Sequence, residues 1–158
     1  MKYNRFEELP VWQDAIELAV RVFAFTAKPV FKQYPGIRDQ IERAALSVSN
    51  NIAEGFERGT TNELLHFLYI SRGSCGETRS VLCVCELLPS FGSFRSEILD
   101  LKTRAESISR QLRAWCDSLQ NSDIRGPRYL TEKTRRQSKE AKERDEFLKE
   151  LEQMRIRK

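Results

Sequence analysis

The sequence predicts an all-α protein, an up-down-up-down four-helix bundle followed by a charged helical extension. Three observations predict it: apolar residues recur at spacings of three and four in four successive segments, no strand-type alternation is sustained, and proline and glycine fall mainly between the segments. A chain of 158 residues with 40% apolar and 32% charged residues can bury a sizeable core as one domain, leaving heavily charged outer faces.

The first helix is predicted over residues 10–28. Leu9-Pro10-Val11-Trp12 reads as its entry, because proline's missing N–H is not needed in a first turn. Trp12, Ile16, Ala19, Val22, Phe23 and Thr26 form the expected core stripe. Pro29 and Tyr34-Pro35-Gly36 mark a loop, after which Ile37, Ile41, Ala44, Ala45, Val48 and Ile52 form a second stripe that Gly55 is placed to end. Thr60 and Glu63 have capping-box spacing, each able to satisfy an exposed backbone donor at the start of a third helix. That helix runs through Leu64, Phe67, Leu68, Ser71, Cys75, Thr78, Leu82 and Cys85 to Leu88, where Pro89 and Gly92 interrupt the pattern. The fourth is the most regular, with Phe94, Ile98, Leu101, Ala105, Ile108, Leu112, Trp115 and Leu119 in heptad steps that predict near-parallel packing. Short links favour antiparallel neighbours, so residues 1–120 are expected to close into one bundle.

Gly126-Pro127 breaks the chain. Residues 121–158 form a charged extension in which Glu132/Arg136, Glu140/Arg144 and Asp145/Lys149 have helix-supporting spacing and Phe147, Leu151 and Met154 give a short apolar seam. A solvated helix is the plain expectation for it, and a docking arm for a protein or nucleic acid the alternative. The formal net charge of +4 resides there: the extension holds twelve basic and eight acidic residues, and residues 1–120 are formally neutral. The body favours arginine over lysine, and a guanidinium suits both phosphate oxygens and interfacial carboxylates. Arg43, Arg72, Arg79, Arg104, Arg110 and Arg113 are therefore candidate phosphate contacts, and their clustering on one face is left open by the sequence.

Chemistry-bearing constellations are scarce, and no enzyme, metal or cofactor is expected. His66 is the only histidine, and zinc ordinarily wants three or four His or Cys ligands. No glycine-rich phosphate loop follows a strand, and no nucleophile elbow or Glu-x-x-His pair occurs. Of the four cysteines, Cys83 and Cys85 stand about 200° apart around a helix, so free and mostly buried thiols are expected. The N-terminus lacks a secretory apolar core and no run is long enough to span a membrane, so the cytoplasm is the expected location.

The unusual feature is polar. Ser47, Asn51 and Glu54 flank the apolar stripe of the second helix, although serine and asparagine are mediocre in helix interiors. Gly73, Ser74, Gly76 and Glu77 sit at a matching place on the third, so Ser47, Asn51, Glu54, Ser74 and Glu77 are expected to hydrogen-bond between the two helices.

Phe6-x-x-Leu9-x-Val11-Trp12, the run from Gln40-Ile41-Glu42-Arg43 through Ser47-Val48-Ser49-Asn50-Asn51-Ile52-Ala53-Glu54-Gly55-Phe56, and Phe67-Leu68-Tyr69-Ile70-Ser71-Arg72-Gly73-Ser74-Cys75-Gly76-Glu77 carry a family resemblance. Over about residues 6–120 the chain resembles the four-helix-bundle proteins encoded by intervening sequences of bacterial 23S ribosomal RNA genes. The resemblance implies a cytoplasmic homopentamer around a central axis, with kinship to the accessory variability determinant that partners the reverse transcriptase of diversity-generating retroelements. It further implies binding of RNA or DNA through a basic surface of the ring. Residues 121–158 have no counterpart in the shorter family pattern, and they are where a reverse transcriptase or another protein partner is expected to dock. Two functions compete: a non-catalytic oligomeric scaffold whose arginines contact phosphates, and a protein-interaction adaptor whose arginines pair with carboxylates.

Overall fold

Four helices account for most of the first 121 residues in a computed structural model, which describes residues 3–121, 140, 143–144 and 146–149. They are α1 (Pro10–Thr26), α2 (Pro35–Glu57), α3 (Thr61–Leu87) and α4 (Arg95–Gln120). Among the described residues there is no strand, and no helix is long and apolar enough to cross a membrane. The chain divides into two compact units, Met1–Gly126 and Pro127–Lys158. In the second, the described residues are helical and exposed, and include the Glu140/Arg144 spacing. Glu132/Arg136, Asp145, Leu151 and Met154 lie outside the described residues.

Cross-helix hydrogen bonds and ion pairs fix the topology. Thr26 reaches Glu42 between α1 and α2, Ser74 meets Ser47 between α3 and α2, and Tyr69 and Arg79 of α3 meet Gln120 and Glu106 of α4. Asp14 and Glu17 of α1 meet Gln111 and Arg104 of α4, and Lys28, just past the end of α1, meets Glu97. Later residues on one helix meet earlier ones on the other, as Gln40 with Glu77 and Gly55 with Phe67 show for α2 and α3, so neighbours are antiparallel and α4 closes back on α1. This is the predicted up-down-up-down bundle.

The α4 stripe faces inward as its heptads require, with Ile98, Leu101, Ala105, Ile108 and Leu112 all buried. Helix α1 meets expectation in part: Ala19, Val22 and Thr26 are buried as predicted, together with Val11, Ala15, Leu18 and Phe25, while Phe23 is 43% exposed and Trp12 and Ile16 only half-buried. Apolar residues occupy most of this helix's circumference, so two stripes of helical spacing exist, and packing against α2 and α4 selects one.

The two long links share one end of the bundle. Pro29–Gln33 and Pro89–Phe94 form 3-10 turns whose Phe31 and Phe91 rings meet edge-on at 5.1 Å, with Phe25 at 5.0 Å from Phe31. At the opposite end Thr60 caps α3: the Glu63 N–H donates to its hydroxyl oxygen at 3.2 Å, and the hydroxyl donates to the Glu63 carboxylate at 2.8 Å. The carboxylate thus takes the hydroxyl in place of a backbone donor.

Gly55 does not end α2, which continues to Glu57. A Cβ there would stand 2.8 Å from Phe67 Cβ and 3.3 Å from the Leu64 carbonyl oxygen. The glycine is a point of close approach between α2 and α3, and α2 needs no left-handed residue to stop.

Candidate nucleic-acid interface

Close approach of α2 and α3 brings small polar side chains of the two helices together. Ser47 and Ser74 hydroxyls lie 2.9 Å apart, Asn51 donates to the Ser47 carbonyl at 2.7 Å and to its hydroxyl at 2.9 Å, and the buried Ser71 donates to the Val48 carbonyl at 2.8 Å. Of the five expected residues Ser47, Ser74 and Glu77 do bond between the two helices, whereas the bonds of Asn51 and Glu54 stay within α2. Glu54 pairs with Arg58 at 2.6 Å and Glu77 accepts from Gln40, both in solvent, where a charged carboxylate avoids the cost of desolvation. Ser71 is the member that the sequence reading left on the apolar stripe; its hydroxyl is satisfied by a backbone carbonyl of the neighbouring helix.

The six candidate arginines fall on three sides of the bundle. Arg43 lies along α2 beside α3, held by Asp39 at 3.3 Å and donating to Gln40 at 2.6 Å. Arg104 lies between α4 and α1, bonded to Asp100 at 2.8 Å and Glu17 at 3.1 Å. The other four share the outer seam of α3 and α4. Arg79 and Arg110 both reach Glu106, at 3.8 and 3.6 Å, and Arg113 stands 3.7 Å from Asp117. Arg72 precedes Arg79 by one heptad, which keeps it on the same side of α3, and it has no carboxylate within ion-pair distance among the described residues.

Lys102, paired with Glu86 at 2.7 Å, joins this seam. Among the described residues five cations, Arg72, Arg79, Lys102, Arg110 and Arg113, thus share this side with three carboxylates, Glu86, Glu106 and Asp117, and Arg72 touches none of them. The three arginine pairs are exposed and weak on their own, so the guanidinium groups can exchange a carboxylate for a phosphate at little cost. Tyr69 and Gln120 extend the seam toward the capped end of α3, their hydroxyl and amide 2.7 Å apart. The sequence reading passed over Tyr69; its signal was an aromatic ring three residues before an arginine on a helix.

The clefts offer little else. The groove lined by Gln40, Arg43, Ala44, Ser47 and Glu77 encloses about 230 Å³, and an apolar one lined by Tyr3, Leu9, Pro10, Val11, Gln111 and Trp115 about 320 Å³, at or below the small end of ligand pockets. Among the described residues no three His, Cys, Asp or Glu side chains gather as a metal site. All four cysteines are free.

Fold and seam together define an antiparallel four-helix-bundle protein with one arginine-rich side. More narrowly, the chain belongs to the 23S rRNA-intervening sequence protein family, whose model matches residues 7–114. No curated protein matches the chain.

Proposed function

We propose that the protein is a non-catalytic homo-oligomeric scaffold that holds RNA or DNA phosphates against the α3–α4 seam through Arg72, Arg79, Arg110 and Arg113. The observation that carries this reading is the local excess of cations among the described residues, with Arg72 unpaired there and one carboxylate shared by Arg79 and Arg110. Arg43 and Arg104, each tied to carboxylates on other sides, drop out of the surface. Binding of this kind is strongly salt-dependent and poorly sequence-specific. Titration of a structured ribosomal RNA fragment at low salt should show binding that weakens steeply as salt rises. Arg72→Glu with Arg113→Glu should weaken it about tenfold or more with helical content unchanged, whereas Arg43→Glu should not. No binding at low salt, or a folded double variant that binds like the parent, overturns the reading.

Self-association is the second half of the proposal, and family resemblance supplies five copies as its number. An exposed strip free of charge supports it: Ile16, Val20 and Phe23 on α1 face the same side as Leu46, Asn50 and Ala53 on α2, in the register set by Thr26 and Glu42. Burying that strip against a second copy removes apolar surface from water. Light scattering should give a multiple of the chain mass that Val20→Asp with Phe23→Asp reduces to a monomer, and a monomeric parent refutes it. The rival adaptor reading predicts instead a co-purifying protein that survives nuclease treatment.

A further inference from the structure

Resting on the phosphate-binding reading above, we propose that the α3–α4 seam takes single-stranded rather than duplex nucleic acid, with the Tyr69 ring as a stacking surface for an unpaired base and Arg72 and Arg113 as the phosphate contacts beside it. Tyr69 is 44% exposed although its neighbour Leu68 is fully buried, so its ring lies on the outside of α3. Its hydroxyl is tethered to the Gln120 side-chain amide at 2.7 Å, which holds the ring across the helix pair. An exposed aromatic that is held in place loses little further freedom when a base stacks on it.

On both helices charge lies beside the ring, on the side that leads away from the capped end of α3. Arg72 is three residues beyond Tyr69, one turn along the same side of α3. Arg113 precedes Gln120 by one heptad, about 10 Å along the same side of α4. Among the described residues Arg72 has no carboxylate to release, and Arg113 releases only the exposed, 3.7 Å contact with Asp117. An aromatic platform at the end of a cationic groove is the arrangement by which single strands are held without sequence preference. A duplex keeps the π-faces of its bases against one another, so it can use the arginines and not the ring.

The test compares full-length protein binding to a labelled oligonucleotide of about 20 nucleotides, as RNA and as DNA, each single-stranded and as its duplex. Either single strand should bind at least about tenfold more tightly than its duplex, which also identifies the preferred sugar. Tyr69→Leu, which keeps apolar bulk without a π-face, should weaken single-strand binding about 5- to 100-fold and leave duplex binding unchanged. Tyr69→Phe, which loses the Gln120 contact and keeps the ring, should bind single strands within about threefold of the parent.

Equal affinity for single strands and duplexes, an unaffected Tyr69→Leu variant, or equal losses in Tyr69→Leu and Tyr69→Phe each overturn the stacking role while leaving phosphate binding intact. Binding to neither form brings down the phosphate reading itself. Thermal unfolding of both variants separates loss of the ring from loss of the fold.

Discussion

Glu42 carries the clearest coupling between pH and packing. Burial pushes its carboxyl upward, but hydrogen bonds from the Thr26 hydroxyl at 2.6 Å and Arg38 Nε at 3.0 Å outweigh this and hold it below the ordinary carboxylate value. A carboxyl lowered by folding stabilises the native state above its unfolded value, and that contribution is lost as pH falls through the lowered one. Glu42→Gln should therefore cost about 1–2 kcal/mol at neutral pH. The gap between variant and parent in thermal unfolding should narrow as pH drops below the ordinary carboxylate range; a constant gap excludes the charge as its source. The cysteines show what residue-scale reading could foresee. The angular argument separating Cys83 from Cys85 is realised as one exposed and one buried thiol. Burial pushes Cys75 up to about 12 and Cys85 to about 11. Iodoacetamide at mildly alkaline pH should label Cys83 well before the other three in the folded protein, as mass spectrometry of peptides would show; early labelling of Cys75 would contradict its burial.

At the scale of elements, legibility followed uniqueness of pattern. Helix α4 has one apolar stripe, and its heptad residues point where their spacing says. Helix α1 has two, so Trp12, Ile16 and Phe23 fit the period equally well yet lie outside the core, because the choice belongs to its neighbours α2 and α4. Gly55 was misread for a related reason. A glycine near the end of a helical run signals a stop locally, and only the backbone of α3 reveals that it is needed for proximity. Gly55→Ala discriminates the two roles: helix propensity alone favours alanine by about 1 kcal/mol, whereas overpacking against Phe67 and Leu64 costs about 1–3 kcal/mol. Net destabilisation in denaturant titration is expected, and a stabilised variant would return the residue to a mere helix terminus.

For the whole molecule, the topology was readable because four stripes joined by short links have few ways to close. The arginine surface was not, since a side chain's place around a bundle depends on helix rotation, and its freedom depends on which carboxylates rotate with it. Arg43, Arg72 and Arg104 look alike in sequence; one is held beside Asp39, one has no ion-pair partner among the described residues and one sits between Asp100 and Glu17. The α1–α4 closure that holds Arg104 is stitched by exposed pairs, each contributing about 1 kcal/mol or less, so raising salt should lower thermal stability only slightly. A large salt-induced loss would mean that closure depends on charge more than on the buried aliphatic stripe.

The phenylalanine-sealed pole has an architectural consequence. Tyr3, Leu9 and Pro10 share a groove with Gln111 and Trp115, so the beginning of α1 and the final turns of α4 adjoin at the other pole, beside the hinge between α2 and α3. Covalent order is thus almost arbitrary there. A circularly permuted chain, spliced from Asn121 to Tyr3 by a short glycine-serine bridge and reopened at the uncrowded Gly59, should regain the native circular-dichroism spectrum. The same splice reopened at Phe91 would unfasten the seal and should not.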